Sequence, residues 1–176
     1  MRILAIDAST KSTGWAVFND DKLESYGCLT ATSNDLIKRI YKMIDGLEEI
    51  ISVNNIDRIV MEEVRPEQGL QNLKTQKALM YLQAAIAFLL YDNFPKIIME
   101  FVYPNEWRKL CGIKTGSGVR RETLKPLDIA FVKNQYDISV NDDIADAIGI
   151  GHAYCHPDRE SNVNNKKTEL AWGSTF

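Results

Sequence analysis

The run Ile3-Leu4-Ala5-Ile6, closed by Asp7, limits more than any other feature what this chain can fold into. Consecutive apolar residues leave neither side of a strand for water, so the strand must be covered on both faces. A second run, Ile59-Val60-Met61, is closed by Glu62 and Glu63. Such strands belong to a sheet lying between helical layers. Carboxylates at the ends of neighbouring strands project into one crevice at the edge of that sheet.

Around these strands the order of elements is legible. Residues 2–7 are the first strand, Gly14 to Phe18 the second and Tyr26 to Leu29 the third, with the turn cluster Asn19-Asp20-Asp21 making them an antiparallel meander. Ser33-Asn34-Asp35 offers N-cap chemistry to an amphipathic helix carrying Ile37, Ile40, Tyr41, Ile44, Leu47 and Ile51, which Asn54-Asn55 ends. Strand four spans Arg58 to Val64, and a long helix about Leu73 to Asp92. That helix is apolar on more than one side, as expected of one buried centrally or shared with a partner subunit. Strand five is Lys96 to Val102. Pro104-Asn105-Glu106-Trp107 opens a short helix, Val119 to Asn134 forms another, and Asn141 caps a last one running to about Tyr154. The expected fold class is α/β, a five-stranded mixed sheet with helices on both faces. Residues 1–156 are expected to form one domain and 157–176 a polar, loose tail.

Bulk composition excludes several classes. At 176 residues, 45% hydrophobic and 26% charged, the chain can bury a core without disulfides or structural metal. Cys28, Cys111 and Cys155 sit at unrelated spacings and are expected to be buried thiols of a reducing cytoplasm. The N-terminus enters a strand directly, without signal-peptide patterning, and the apolar stretch Ala84 to Leu90 is too short to span a membrane. A net charge of -3 gives no global hint of nucleic acid, so such a partner must be met by a local patch.

The carboxylates suggest what the sheet edge does. Asp143 and Asp146, three apart, lie on one face of the last helix, while Asp142 points elsewhere and Glu63 faces away from Glu62. Converging carboxylates stay ionised only with cations, and oxygen-only ligands suit Mg²⁺ or Mn²⁺. Two ions roughly 4 Å apart would activate water on one side of a phosphodiester and stabilise the leaving oxygen on the other. Taken singly, each acid reads as structural, a solvated strand end or favourable charge at a helix N-terminus; taken together, with the strand order, they read as a metal site.

Taken in order, the motifs resemble a known family. Ile6-Asp7-Ala8-Ser9 followed by Thr13-Gly14-Trp15-Ala16-Val17 resembles the opening of RuvC-like Holliday junction resolvases, I-D-P-G-S then T-G-x-x-V/I. Val60-Met61-Glu62-Glu63-Val64 resembles their strand-four motif, in which Gln-Val follows the metal-binding Glu. Asp143-Ile144-Ala145-Asp146-Ala147-Ile148 resembles the D-A-A-D-A-L motif of their last helix. The resemblance covers about residues 1–155. It implies an RNase H-like fold, a homodimer with two active sites, and Asp7, Glu62, Asp143 and Asp146 as ligands of two Mg²⁺ ions, with Mn²⁺ able to substitute and Asp7 bridging. The implied reaction is resolution of four-way DNA junctions by paired nicks leaving 5′-phosphate and 3′-hydroxyl ends, in the cytoplasm. Ala8 departs from the family's Pro. Arg65 stands where members often carry a Phe that stacks on bases at the junction centre. These departures and the compact length resemble phage-encoded members, whose enzyme would act in the host cytoplasm. No branch-migration partner can be named from the sequence.

Segment 108–125 carries Arg108, Lys109, Lys114, Arg120, Arg121 and Lys125 against Glu122 alone, with Gly112, Gly116 and Gly118 between them. Beside a metal site it is a phosphate-contacting element or, equally, a solvated helix face. Lys114, Arg120, Arg121 and Lys125 are the DNA-binding candidates here; Arg65, Gln71, Asn72 and Lys74 would line the opposite side. His152, Cys155 and His156 have zinc-like spacing, but no fourth ligand stands nearby, so packing is the expected role. Trp15 and Trp107 are expected in the core. Alternative readings are a fork or RNA–DNA hybrid nuclease of the same fold, a junction-binding module without catalysis, and, from the similarity of Ile6-Asp7-Ala8-Ser9-Thr10 to an actin-like phosphate loop, an ATPase. The ATPase would need a second domain and a Gly-rich adenosine site.

Overall fold

The computed structural model describes residues 1–64, 73–115, 119 and 121–157, with Arg121 in backbone only. Its elements are β1 (Arg2–Asp7), β2 (Ser12–Asn19), β3 (Lys22–Thr30), α1 (Leu36–Asn54), β4 (Arg58–Glu62), α2 (Leu73–Asn93), β5 (Ile98–Val102), α3 (Pro104–Leu110), α4 (Arg121–Tyr136) and α5 (Asp142–Cys155). They build a five-stranded sheet in the order β3-β2-β1-β4-β5. The first three strands pair antiparallel, whereas β4 runs parallel to both β1 and β5. This is the mixed sheet expected from the sequence.

The two-fold alternation of β1 and β4 divides the core. Leu4, Ile6, Ile59 and Met61 meet Met43 and Leu47 of α1 and Leu82 and Ile86 of α2 on one face. On the other, Ile3, Ala5 and Val60 meet Trp107, Val132, Ala147 and Ile148 from α3, α4 and α5. The uninterrupted apolar runs therefore have the reason anticipated for them. Among the described residues, no helix is long and apolar enough to cross a membrane.

Capping sets the helix ends where turn residues pointed. Asp35 accepts hydrogen bonds from the amides of Ile37 and Lys38 at 2.8 and 3.2 Å, and Asn55 closes α1 in the left-handed region at φ 51. Asn141 accepts from the Ile144 amide at 3.0 Å and starts α5. Strand limits differ more. β3 runs from Lys22 to Thr30, longer than expected, because its pairing with β2 continues to Ser12 opposite Thr30. β4 stops at Glu62, β5 begins only at Ile98, and α4 begins at Arg121. The cysteines are all free, but only Cys111 is buried; Cys28 and Cys155 are half-exposed, which corrects the expectation for those two. The tail from 158 lies outside the described residues.

Candidate active site

Backbone register brings the first two carboxylates together. Ile6 pairs with Met61 between the parallel strands β1 and β4, so Asp7 and Glu62 follow as neighbours at the carboxyl ends of both. Alternation turns them to the α3–α5 side. The Trp107 indole Nε1–H donates to Glu62 Oε2 at 2.9 Å, and the Gln83 amide from α2 donates to the Glu62 carbonyl oxygen at 2.9 Å. Glu62 is thus fixed from both helical layers.

The third carboxylate arrives on α5. That helix lies so close to the sheet that a Cβ on Gly14 would sit 1.9 Å from the Asp143 carbonyl oxygen. One turn on, Asp146 is buried, 8% exposed, in a cleft of about 480 Å³ that it shares with Asp7, Glu62 and Glu63. The cleft wraps the ends of the strands, with Gln76 and Gln83 of α2 on one wall and Arg108 and Lys125 of α3 and α4 on the other. A residue on either sheet face can reach it there. Glu63, expected to face away from the site, lines it for that reason.

Asp146 has an unusual electrostatic setting. Burial first, then the charges of Asp7 and Asp128, with a hydrogen bond to Asp128 adding to them, push its carboxyl up to about 9, against the pull of Arg108. Arg108 is itself buried; its guanidinium grips Asp128 through Nε at 3.1–3.2 Å and through a terminal nitrogen at 3.0 Å. The same nitrogen reaches Asp146 Oδ2 only at 3.5 Å, and Asp146 Oδ1 is buried without a hydrogen-bond partner. An orphaned buried carboxylate oxygen beside two further carboxylates suits a hard cation, and the donor set is oxygen only. Among the described residues, no three His, Cys, Asp or Glu side chains are gathered tightly enough to grip one ion as they stand.

Asp143 does not line the cleft. It accepts a hydrogen bond from the Ser12 hydroxyl, which also meets Cys28 Sγ at 3.1 Å. It nevertheless stays on the same sheet edge, because its backbone lies against Gly14, the β2 residue that pairs with Asp7. Of the expected acids, then, Asp7, Glu62 and Asp146 share the cleft and Asp143 stands beside it.

The basic candidates divide. Lys74 and Lys114 are exposed. Lys125 lines the cleft, but its ammonium is paired with Asp142, so the free phosphate-binding lysine expected there is engaged within the chain. Arg65, Gln71, Asn72 and Arg120 lie outside the described residues, as does the Arg121 side chain. His152 is buried against Tyr136, whose hydroxyl is 2.8 Å from its Nδ1, and stacks on His156, a packing role with no zinc site among the described residues. Sequence reasoning placed Trp107 in the core, correctly, but missed its bond to Glu62, and it missed Asp128 altogether. The single available signal was Trp107-Arg108, an aromatic and a cation opening the basic segment.

No family model and no curated protein matches this chain. Solved structures do. Thermus thermophilus RuvC in complex with a Holliday junction substrate is similar with a TM-score of 0.73 at 11% identity, over 97% of this chain and 100% of that one. The fowlpox virus resolvase, solved with Holliday junction DNA, gives 0.58 at 18% identity over 91% and 100%. The yeast mitochondrial Holliday junction resolvase Ydc2 gives 0.56 at 15% identity over 88% and 77%. The chain therefore has the RuvC-like, RNase H-like fold.

Proposed function

We propose that this chain is a divalent-metal-dependent endonuclease that resolves four-way DNA junctions, with residues 1–156 as the nuclease domain. One observation carries the reading: Asp7, Glu62 and Asp146 share a cleft in which Asp146 Oδ1 is buried and unpartnered. The fold, shared with proteins solved on junction DNA, supports the same substrate class. Asp7, Glu62 and Asp146, with Asp143 from the same helix face, are the groups to hold Mg²⁺, and Mn²⁺ would substitute. Two bound ions would supply an activated water and stabilise the leaving oxygen, giving 5′-phosphate and 3′-hydroxyl ends. Trp107 and Gln83 keep Glu62 in place for that task. Asp7, on the central strand β1, would be the ligand the two ions share.

DNA would enter between α2 and α4, which contribute Gln76 and Lys125 to the lining of the cleft. Lys74 with Arg65, Gln71 and Asn72 would then meet the backbone on one side, and Lys114, Arg120 and Arg121 on the other. A homodimer through α2 would deliver the paired nicks, with the cytoplasm as the place of action.

The deciding experiment is cleavage of a labelled four-way junction beside linear duplex, fork and RNA–DNA hybrid, in Mg²⁺ and in EDTA. Symmetric, metal-dependent nicks at the junction, lost in Asp7→Asn while junction binding persists, are expected. Equal cutting of forks or hybrids would replace the junction by a broader substrate class. Cleavage retained by Asp7→Asn would defeat the site.

A further inference from the structure

Asp128, on α4, is fully buried at 0% exposure. No chemistry so far has needed it, yet it takes two prongs of the Arg108 fork, Nε and a terminal nitrogen. Arg108 is placed between two carboxylates, and its bonds to them are unequal: three contacts of 3.0–3.2 Å go to Asp128, and one of 3.5 Å goes to Asp146. A planar guanidinium forms its strongest pairs bidentately, and its direction is fixed once one edge is taken. The ring of Trp107, 4.1 Å beneath the guanidinium carbon, holds the plane from one side. Asp146 is the other carboxylate that the same fork already touches, through Oδ2.

We infer that Asp128 is a positioning residue that keeps Arg108 off Asp146, leaving Asp146 Oδ1 open to a divalent cation. The device rests on the metal-site reading above and goes beyond it, because it makes an internal cation a competitor of the metal. Arg108 offsets the negative charge of the cleft while Asp128 holds its Nε edge. Released, it would occupy the ligand itself.

The competition is read by Mn²⁺ binding to the whole DNA-free chain, followed by electron paramagnetic resonance, with thermal melting confirming that each variant is folded. Asp128→Asn should weaken Mn²⁺ binding by about tenfold or more, the range for groups that orient a ligand. Asp128→Asn combined with Arg108→Gln removes the competitor as well as its keeper, and should restore binding to the wild-type level or better. A merely structural role for Asp128 predicts the reverse, since the double variant loses more buried contacts than the single one. In cleavage assays, Asp128→Asn should raise the Mg²⁺ concentration for half-maximal rate while leaving kcat at saturating Mg²⁺ close to wild type. If Asp128→Asn does not fold, the double variant against wild type decides alone: binding kept supports the device and binding lost overturns it. Unchanged binding in folded Asp128→Asn also overturns it and leaves the metal site standing. Absence of Mn²⁺ binding in the wild type overturns both.

Discussion

Trp107 is a core residue, 1% exposed, with one polar atom, and that atom donates to Glu62. Trp107→Phe keeps an aromatic ring there but removes the donor and leaves part of the indole's volume empty. Stability should fall by about 1–3 kcal/mol from the cavity. Cleavage should fall further than stability alone explains, because Glu62 is then held only through its backbone. Denaturant unfolding and a cleavage time course on one preparation separate the two. At this scale Asp7 and Glu62 were legible, since an acid ending an apolar run is a local pattern. Arg108, Asp128 and Trp107 were not. Their partners are 20 to 45 residues away in sequence, and no periodicity records such pairings. A second long-range group joins Arg58, Glu100 and Tyr154, the tyrosine hydroxyl donating to Glu100 at 2.5 Å. Burial, then that bond, pushes the Tyr154 hydroxyl up to about 12. Its folded value lies above its unfolded one, so the stability it contributes is intact below pH 10 and lost as pH rises through about 12. Cys155, raised by burial to about 12, acts with the same sign from pH 9. Melting temperature should therefore drop over that window in wild type, and less steeply in Tyr154→Phe; an equal slope would place the alkaline loss elsewhere.

Among the elements, α5 decides whether a site exists, because it brings an acid to strand ends that already carry two. Its closeness to the sheet depends on residues without side chains where the backbones meet. A Cβ on Gly14 would stand 1.9 Å from the Asp143 carbonyl oxygen, and one on Gly151 would stand 2.2 Å from the Phe18 ring. Gly14→Ala meets backbone, which cannot rotate away as a side-chain tip can. The helix must tilt or shift at its N-terminal turn, where Asp143 and Asp146 reside. Stability should fall by roughly 1–3 kcal/mol, as in other overpacked contacts, and cleavage should become undetectable even in protein that remains folded. Activity close to wild type in Gly14→Ala would show that α5 does not need this approach. The Thr13-Gly14 pair was visible in the sequence as a motif, but its reason lies in a contact between residues 129 positions apart that only the fold supplies. Helix ends were better foretold, since Asp35, Asn55 and Asn141 act on their own helices. Strand ends depend on a partner's length, and so β3 outran its own pattern.

For the whole molecule, α2 is the element whose two sides have different fates. Leu82, Ile86, Leu89 and Leu90 enter the core, whereas Met80, Tyr81, Phe88 and Tyr91 are exposed, Phe88 at 70%. Positions 80, 81, 84, 88 and 91 recur at three- and four-residue steps, which sets them along one stripe. Contiguous apolar surface of this kind marks an interaction site more often than chance exposure does. The sequence already carried half of this, in a helix apolar on more than one side; what it lacked was which side the sheet would take. A second copy meeting this stripe would place two clefts in one particle, as symmetric nicking of a four-way junction requires. Phe88→Asp tests it cleanly, because so exposed a side chain contributes little to the monomer's own core. Sedimentation should show dimer affinity weakened by about thirtyfold or more, the loss of an aromatic anchor of about 2 kcal/mol, while melting of the monomer stays near wild type. On a labelled junction the two strands should then be cut independently, so that nicked junctions accumulate before resolved duplexes form. A Phe88→Asp protein that sediments as wild type does, and cuts both strands together, would move the dimer contact off α2.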